Sequence, residues 1–182
     1  MGDDEYHPIE QKGSNLTEGG TGYMVNDVLD TMQLMALKEE YARSGSWVQS
    51  KLSFHRDDQF STFEVGTHLL LLALQLIIML SSHNHTAIRI LGGLLSTYHL
   101  SKHDSLYLEK AVELADRILP VFDTPSGLPL PVINLATMEP HYTDDFLGLV
   151  SVAEAGNLQL EFRYSSHLMV NDVYWHKIEK VG

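Results

Sequence analysis

Asp104-Ser105-Leu106-Tyr107-Leu108-Glu109-Lys110-Ala111-Val112-Glu113-Leu114-Ala115-Asp116-Arg117-Ile118-Leu119-Pro120-Val121-Phe122 is the stretch on which the fold class turns. Leu106, Leu108, Ala111, Leu114, Ala115, Ile118 and Leu119 line one side of a helix at the period a buried face requires. Asp104 stands where an N-cap is expected. On the N-terminal side, Met24, Val28, Met32 and Met35 repeat at spacings of three and four, predicting a helix from Tyr23. A second helix is predicted over Leu37–Leu52, with Glu39 and Glu40 near its positive end. Thr86–His99 again reads as helical and carries the pair Gly92-Gly93. Paired glycines inside a helix cost about 1 kcal/mol each against alanine, so they point to close packing or a kink.

Residues 123–145 hold Pro125, Gly127, Pro129, Pro131 and Pro140 and read as a long loop, with a short strand at Val132-Ile133-Asn134. Helices are predicted again over Val150–Leu168 and Val173–Val181. The leading residues 1–21 are polar and read as extended chain and loop. No βαβ alternation and no hairpin series is visible, so the fold class is all-α, built of paired helices.

The formal net charge of −12 argues against a nucleic-acid partner, which clustered Lys and Arg would serve. There are no cysteines, hence no disulfide framework, thiolate metal site or thiol nucleophile. The acidic start is neither a signal peptide nor a transit peptide. Leu69–Leu80 is almost wholly apolar but short of the ~20 residues a bilayer crossing needs, so it reads as a buried helix. Two sequons, Asn15-Leu16-Thr17 and Asn84-His85-Thr86, matter only in the secretory pathway.

The acids available for chemistry are Glu64, at a loop-to-helix junction, Glu154, just after the long loop, and Glu161, two helical turns beyond it on nearly the same face. On spacing alone each also reads as a solvated or salt-bridged surface acid. His83 and His85 flank Asn84 but lack a third nearby ligand for zinc. No Gly-rich phosphate loop, G-x-S-x-G or H-E-x-x-H occurs.

Longer motifs carry more. Asp4-Glu5-Tyr6-His7-Pro8 with Gly13-Ser14-Asn15-Leu16-Thr17, Asp27-Val28-Leu29-Asp30-Thr31-Met32, Phe63-Glu64 followed by Thr86-Ala87-Ile88-Arg89-Ile90-Leu91-Gly92-Gly93-Leu94-Leu95-Ser96, Thr124-Pro125-Ser126-Gly127-Leu128-Pro129, and Ala153-Glu154-Ala155-Gly156 with Leu158-Gln159-Leu160-Glu161-Phe162 stand in order along the chain. Together they resemble the class I alpha-1,2-mannosidases, glycoside hydrolase family 47, of the fungal processing type. The resemblance covers nearly everything except residues 65–85.

It implies an (α/α)7 barrel, of which residues 1–182 would be an incomplete N-terminal part, roughly the first three helical hairpins. It implies inverting hydrolysis of alpha-1,2-linked mannose on high-mannose N-glycans, in the endoplasmic reticulum or Golgi, with calcium bound. By resemblance Glu64 falls on the proposed general acid, Arg89 on a sugar-contacting arginine and Glu154 on an acid lining the sugar site. Asp30, Gly92, Gly93 and Glu161 fall among packing positions. The family's calcium contact would lie beyond Gly182, so no metal ligand is expected here, and a membrane anchor would lie ahead of Met1. A barrel cut short leaves apolar helix faces in water, so low solubility or a molten state is expected of the chain alone.

One departure bears on chemistry. In the family pattern the glutamate and arginine are four apart and share a helix face, whereas here they stand 25 positions apart. A helical insert over 65–85 would add ~32 Å of rise and part them. His85 would then stand four residues before Arg89, a poor proton donor in a site built around acids. The alternative is a segment that loops out and leaves Glu64 near Arg89. Removing Val65–His85 restores F-E-T-A-I-R-I-L-G-G, so the segment also reads as a retained intron or another gene-model artefact. The chain as it stands is expected to be inactive. The competing readings are a non-catalytic fragment, a glycan-binding relative in glycoprotein quality control, and a helical scaffold with no sugar role.

Overall fold

The first helix, α1 (Tyr23–Leu34), starts without a side-chain cap of its own, because Gly22 ahead of it takes left-handed backbone with φ 61°. Its leading N–H groups go instead to Asp4, a fully buried carboxylate near the start of the chain. Asp4 Oδ1 accepts from the backbone N–H of Gly22 at 2.6 Å, of Thr21 at 2.9 Å and of Tyr23 at 3.3 Å. The carboxylate satisfies donors that the helix cannot and meets the positive end of its dipole. Gly22 is required twice over, since a Cβ there would also lie 2.0 Å from the Trp47 ring.

The computed structural model describes residues 2–15, 18–62, 84–85, 87–142, 150 and 152–181. Glu64 and the apolar run Leu69–Leu80 lie outside them. Helix α2 (Lys38–Lys51) carries Glu39 and Glu40 in its first turn and Lys51 in its last, as the macrodipole favours. Arg89 lies in one π-helical segment, Ala87–Leu91, that leads into α3 (Gly92–Leu100). Helix α4 (Ser105–Ile118) is capped as its sequence predicts: Asp104 Oδ1 accepts from the Leu106 N–H at 3.1 Å. It tightens into a 3-10 turn, Leu119–Phe122, around Pro120. The last helices are α5 (Val152–Asn157), α6 (Gln159–Met169) and α7 (Asp172–Glu179). The single helix predicted over Val150–Leu168 is therefore interrupted at Leu158.

Helices predominate, but the chain is not all-α. Strands β1 (Glu5–His7) and β2 (Lys12–Ser14) form an antiparallel pair with Tyr6 opposite Gly13. A second sheet has the order β4-β3-β5-β6, from β3 (Gln59–Ser61), β4 (Asn84–His85), β5 (Val132–Asn134) and β6 (Glu139–His141). The predicted strand at 132–134 is β5. It turns back through an Asn134-led turn, whose Oδ1 accepts from Ala136 N at 2.9 Å and Thr137 N at 3.1 Å.

The parallel pairing of β3 with β4 sets Phe60 opposite Asn84 and Ser61 opposite His85. The chain leaves this sheet beside the place where it returns. The ~32 Å separation expected of a straight helical insert does not arise between these two ends.

Leu29, Val48, Ile90, Leu94, Leu114, Phe162, Tyr174 and Ile178 belong to one continuous buried cluster contributed by α1, α2, the π segment, α3, α4, α6 and α7. The Tyr174 hydroxyl donates to Asp116, tying α7 to α4 through a polar contact at its edge.

Candidate functional site

Arg89, inside the π segment that leads into α3, is contacted by residues of α1. Its Nη1 donates to Asp27 Oδ2 at 2.9 Å, and its guanidinium carbon stands 5.8 Å from the centre of the Tyr23 ring. One turn further along, Ser96 Oγ donates to Asp30 Oδ2 at 2.8 Å. Tyr23, Asp27 and Asp30 are spaced i, i+4 and i+7, so one face of α1 presents all three to the same neighbour. The side chains of Arg89 and Asp27 are 32% and 38% exposed, so their ion pair contributes at most about 1 kcal/mol to stability. Burial pushes the Tyr23 phenol above its ordinary value, helped by the Glu5 carboxylate and opposed by the Arg89 cation.

The backbones of α1 and α3 touch. A Cβ on Gly93 would lie 2.3 Å from the Asn26 carbonyl oxygen. Asn26 is itself buried, and its side-chain amide donates to Gly22 O at 3.0 Å. Gly93 thus serves close packing, as the resemblance implies. Gly92 faces α6: Glu161 Oε1 is 3.6 Å from where its Cβ would stand.

Glu161 sits at one end of a groove of 770 Å³ between α3 and α6, whose walls include Leu95, Leu100, Leu160 and Tyr164. Its Oε2 is buried with no hydrogen-bond partner among the described residues. Burial raises the Glu161 carboxyl above the usual carboxylate range, with only its own backbone N–H opposing. The folded chain therefore retains this proton to a higher pH than the unfolded chain, and stability falls as pH rises from the ordinary carboxylate range through the folded pKa. Glu161→Gln removes the ionisation and keeps the shape. Its melting temperature is expected to match the parent's near about pH 4 and to exceed it near about pH 8. A gap that stays constant with pH would contradict this account of Glu161.

Glu154 lies on α5, while its side chain is not among those described. The interruption at Leu158 places Glu154 and Glu161 on two helices rather than on one continuous face. Among the described residues, no group of three or more His, Asp or Glu side chains is arranged to hold a metal ion. No helix among them is long and apolar enough to cross a membrane. Tyr23 and Asp27 escaped the sequence reading as site residues, although their i, i+4 spacing ahead of Asp30 was visible as a polar stripe on a helix otherwise read for its methionines.

The profile of glycosyl hydrolase family 47 matches residues 1–71 and 79–182. The chain belongs to that family. Glycosyl hydrolase family 47 relatives resemble it from end to end. An endoplasmic reticulum mannosyl-oligosaccharide 1,2-alpha-mannosidase of Schizosaccharomyces pombe is 41% identical over 181 residues, covering 98% of this chain and 30% of that protein. The human protein of the same name is 36% identical over 183 residues, covering 99% of this chain and 22% of its own length. The structure is similar to that of an alpha-1,2-mannosidase from Trichoderma reesei, with a TM-score of 0.74 and 26% identity over 100% of this chain and 35% of that one. The chain spans about a third or less of these family 47 relatives.

Proposed function

We propose that residues 1–182 are part of one mannosyl-oligosaccharide 1,2-alpha-mannosidase domain of the (α/α)7 type, with residues 65–85 inserted in it. Such a domain trims alpha-1,2-linked mannose from high-mannose N-glycans in the endoplasmic reticulum or Golgi. Hydrolysis with inversion uses one carboxylic acid to protonate the leaving oxygen and a second carboxylate to activate water from the opposite face. In this reading Glu64 is the acid, Arg89 contacts the sugar and Glu154 lines its site. Calcium enters through the family alone.

The observation that carries the reading is the pairing of Ser61 with His85. The two pieces of the divided motif, one leading to Glu64 and the other to Arg89, start from neighbouring strands, so the long separation along the sequence is compatible with one site. The unmatched residues 72–78 fall inside the segment read as inserted, which supports that part of the proposal.

The test is mannose release from a high-mannose glycan in the presence of calcium, by the parent chain and by Glu64→Gln. Release that disappears on substitution supports an enzyme. Release unchanged by the substitution removes Glu64 from its role. No release from either favours the second reading, a non-catalytic piece or glycan-binding relative.

A further inference from the structure

We propose that Asp27 and Tyr23 are positioning residues that fix the orientation in which Arg89 meets a mannose residue, an inference that rests on reading Arg89 as a sugar contact. An arginine side chain has a long flexible stem and a planar fork of donors, so its usefulness to a ligand depends on what sets the plane. Here Asp27 Oδ2 takes an Nη1 proton at 2.9 Å, and the Tyr23 ring stands 5.8 Å from the guanidinium carbon. A carboxylate on one edge and an aromatic ring nearby restrict the guanidinium more than either does alone.

The holders are themselves fixed. Asp4 secures the start of α1 immediately before Tyr23. The Asn26 carbonyl abuts Gly93, one residue before Asp27 on α1 and four after Arg89. Asp30 takes the Ser96 hydroxyl a turn beyond. Both partners of the ion pair are about a third exposed, so the fold gains little from it, and placement of the guanidinium is what it provides. Arg89 also sits within the π-helical segment, a local form found frequently at functional sites.

The experiment uses the 182-residue chain labelled with nitrogen-15. Relaxation of the arginine Nε–H groups reports guanidinium order, with Arg89→Ala identifying the Arg89 signal. Titration with alpha-1,2-mannobiose reports affinity. An ordered Arg89 Nε–H is expected in the parent and in Leu34→Gln, which alters an exposed position of the same helix outside the contacts that hold Arg89. Asp27→Asn is expected to free the guanidinium and weaken mannobiose binding about tenfold, with Asp27→Glu recovering part of both. Tyr23→Leu is expected to loosen Arg89 in the same direction and serves if Asp27→Asn fails to fold. A guanidinium that stays ordered in Asp27→Asn, or one loosened with affinity unchanged, overturns the proposal. If the parent takes no mannobiose, or Arg89→Ala binds it equally well, the sugar-contact reading fails and the proposal falls with it. Persistent order in Asp27→Asn, by contrast, overturns the positioning role while leaving that reading intact.

Discussion

Replacing Phe162 with alanine is expected to lower the unfolding free energy by about 4 kcal/mol. Phe162 is fully buried, with its ring 5.4 Å from that of Phe122 and 5.7 Å from that of Tyr174, both edge-on. These three rings join α6 to the 3-10 turn after α4 and to α7. Truncation removes the transfer free energy of the ring and leaves a cavity walled by two aromatics anchored elsewhere, so collapse is limited. Denaturant titration gives the measurement: the midpoint falls while the slope is unchanged. Phe162→Leu, which keeps most of the volume, is expected to cost less than about 1.5 kcal/mol. A loss below about 1 kcal/mol for the alanine variant would show that the site relaxes and that the aromatic triad is not a fixed unit.

The second large effect is expected at Gly93, where alanine is predicted to cost about 3 kcal/mol. In an exposed helix the same change would gain about 1 kcal/mol from propensity. Here the new Cβ would meet the Asn26 carbonyl oxygen at 2.3 Å and its carbon at 2.9 Å. Those are backbone atoms in the first turn of α1, so no side-chain rotation relieves the contact and the helices must part. Gly92 is the internal control. A Cβ there would meet the Glu161 side chain at Oε1, 3.6 Å, and Cγ, 4.0 Å, both ordinary contacts, and Gly92→Ala is expected to be neutral or stabilising by up to about 1 kcal/mol. Thermal melts of the two variants side by side decide the point. Equal effects at the two positions would refute close helix packing as the reason for the pair.

The helices were largely legible because their signals are local. Asp104 and the repeat that follows it in α4 need nothing from the rest of the chain, and Glu39 and Glu40 mark the start of α2 in the same way. What escaped was non-local or too short to show a period. Three-residue strands carry no alternation to count, and β3 finds its neighbours at β4 and β5, far along the chain. Pro140 was among the residues that made 123–145 read as loop, yet β6 is the outer strand of its sheet, where a missing N–H is tolerated. Asp4 looked like one more acid in a polar leader, and nothing near it signalled that it caps a helix beginning nineteen residues later.

The site divides in the same way. Arg89 was found through its motif, whereas its holders Asp27 and Tyr23 emerge only once α1 is seen to lie against α3. Glu161 fell among packing positions by resemblance, and its buried oxygen, without a hydrogen-bond partner among the described residues, became visible only with α3 and α6 in place. Glu154 and Glu64 remain assignments by family motif.

The pairing of Ser61 with His85 also bears on how such a protein can change length. Once two strands are joined, the chain between them is a closed loop whose cost grows only with the logarithm of its size, about 0.6 kcal/mol for each doubling. A sequence arriving between Thr62 and Asn84 therefore meets a gentle thermodynamic penalty, while one arriving inside α1 or α3 would displace Asp27 from Arg89 outright.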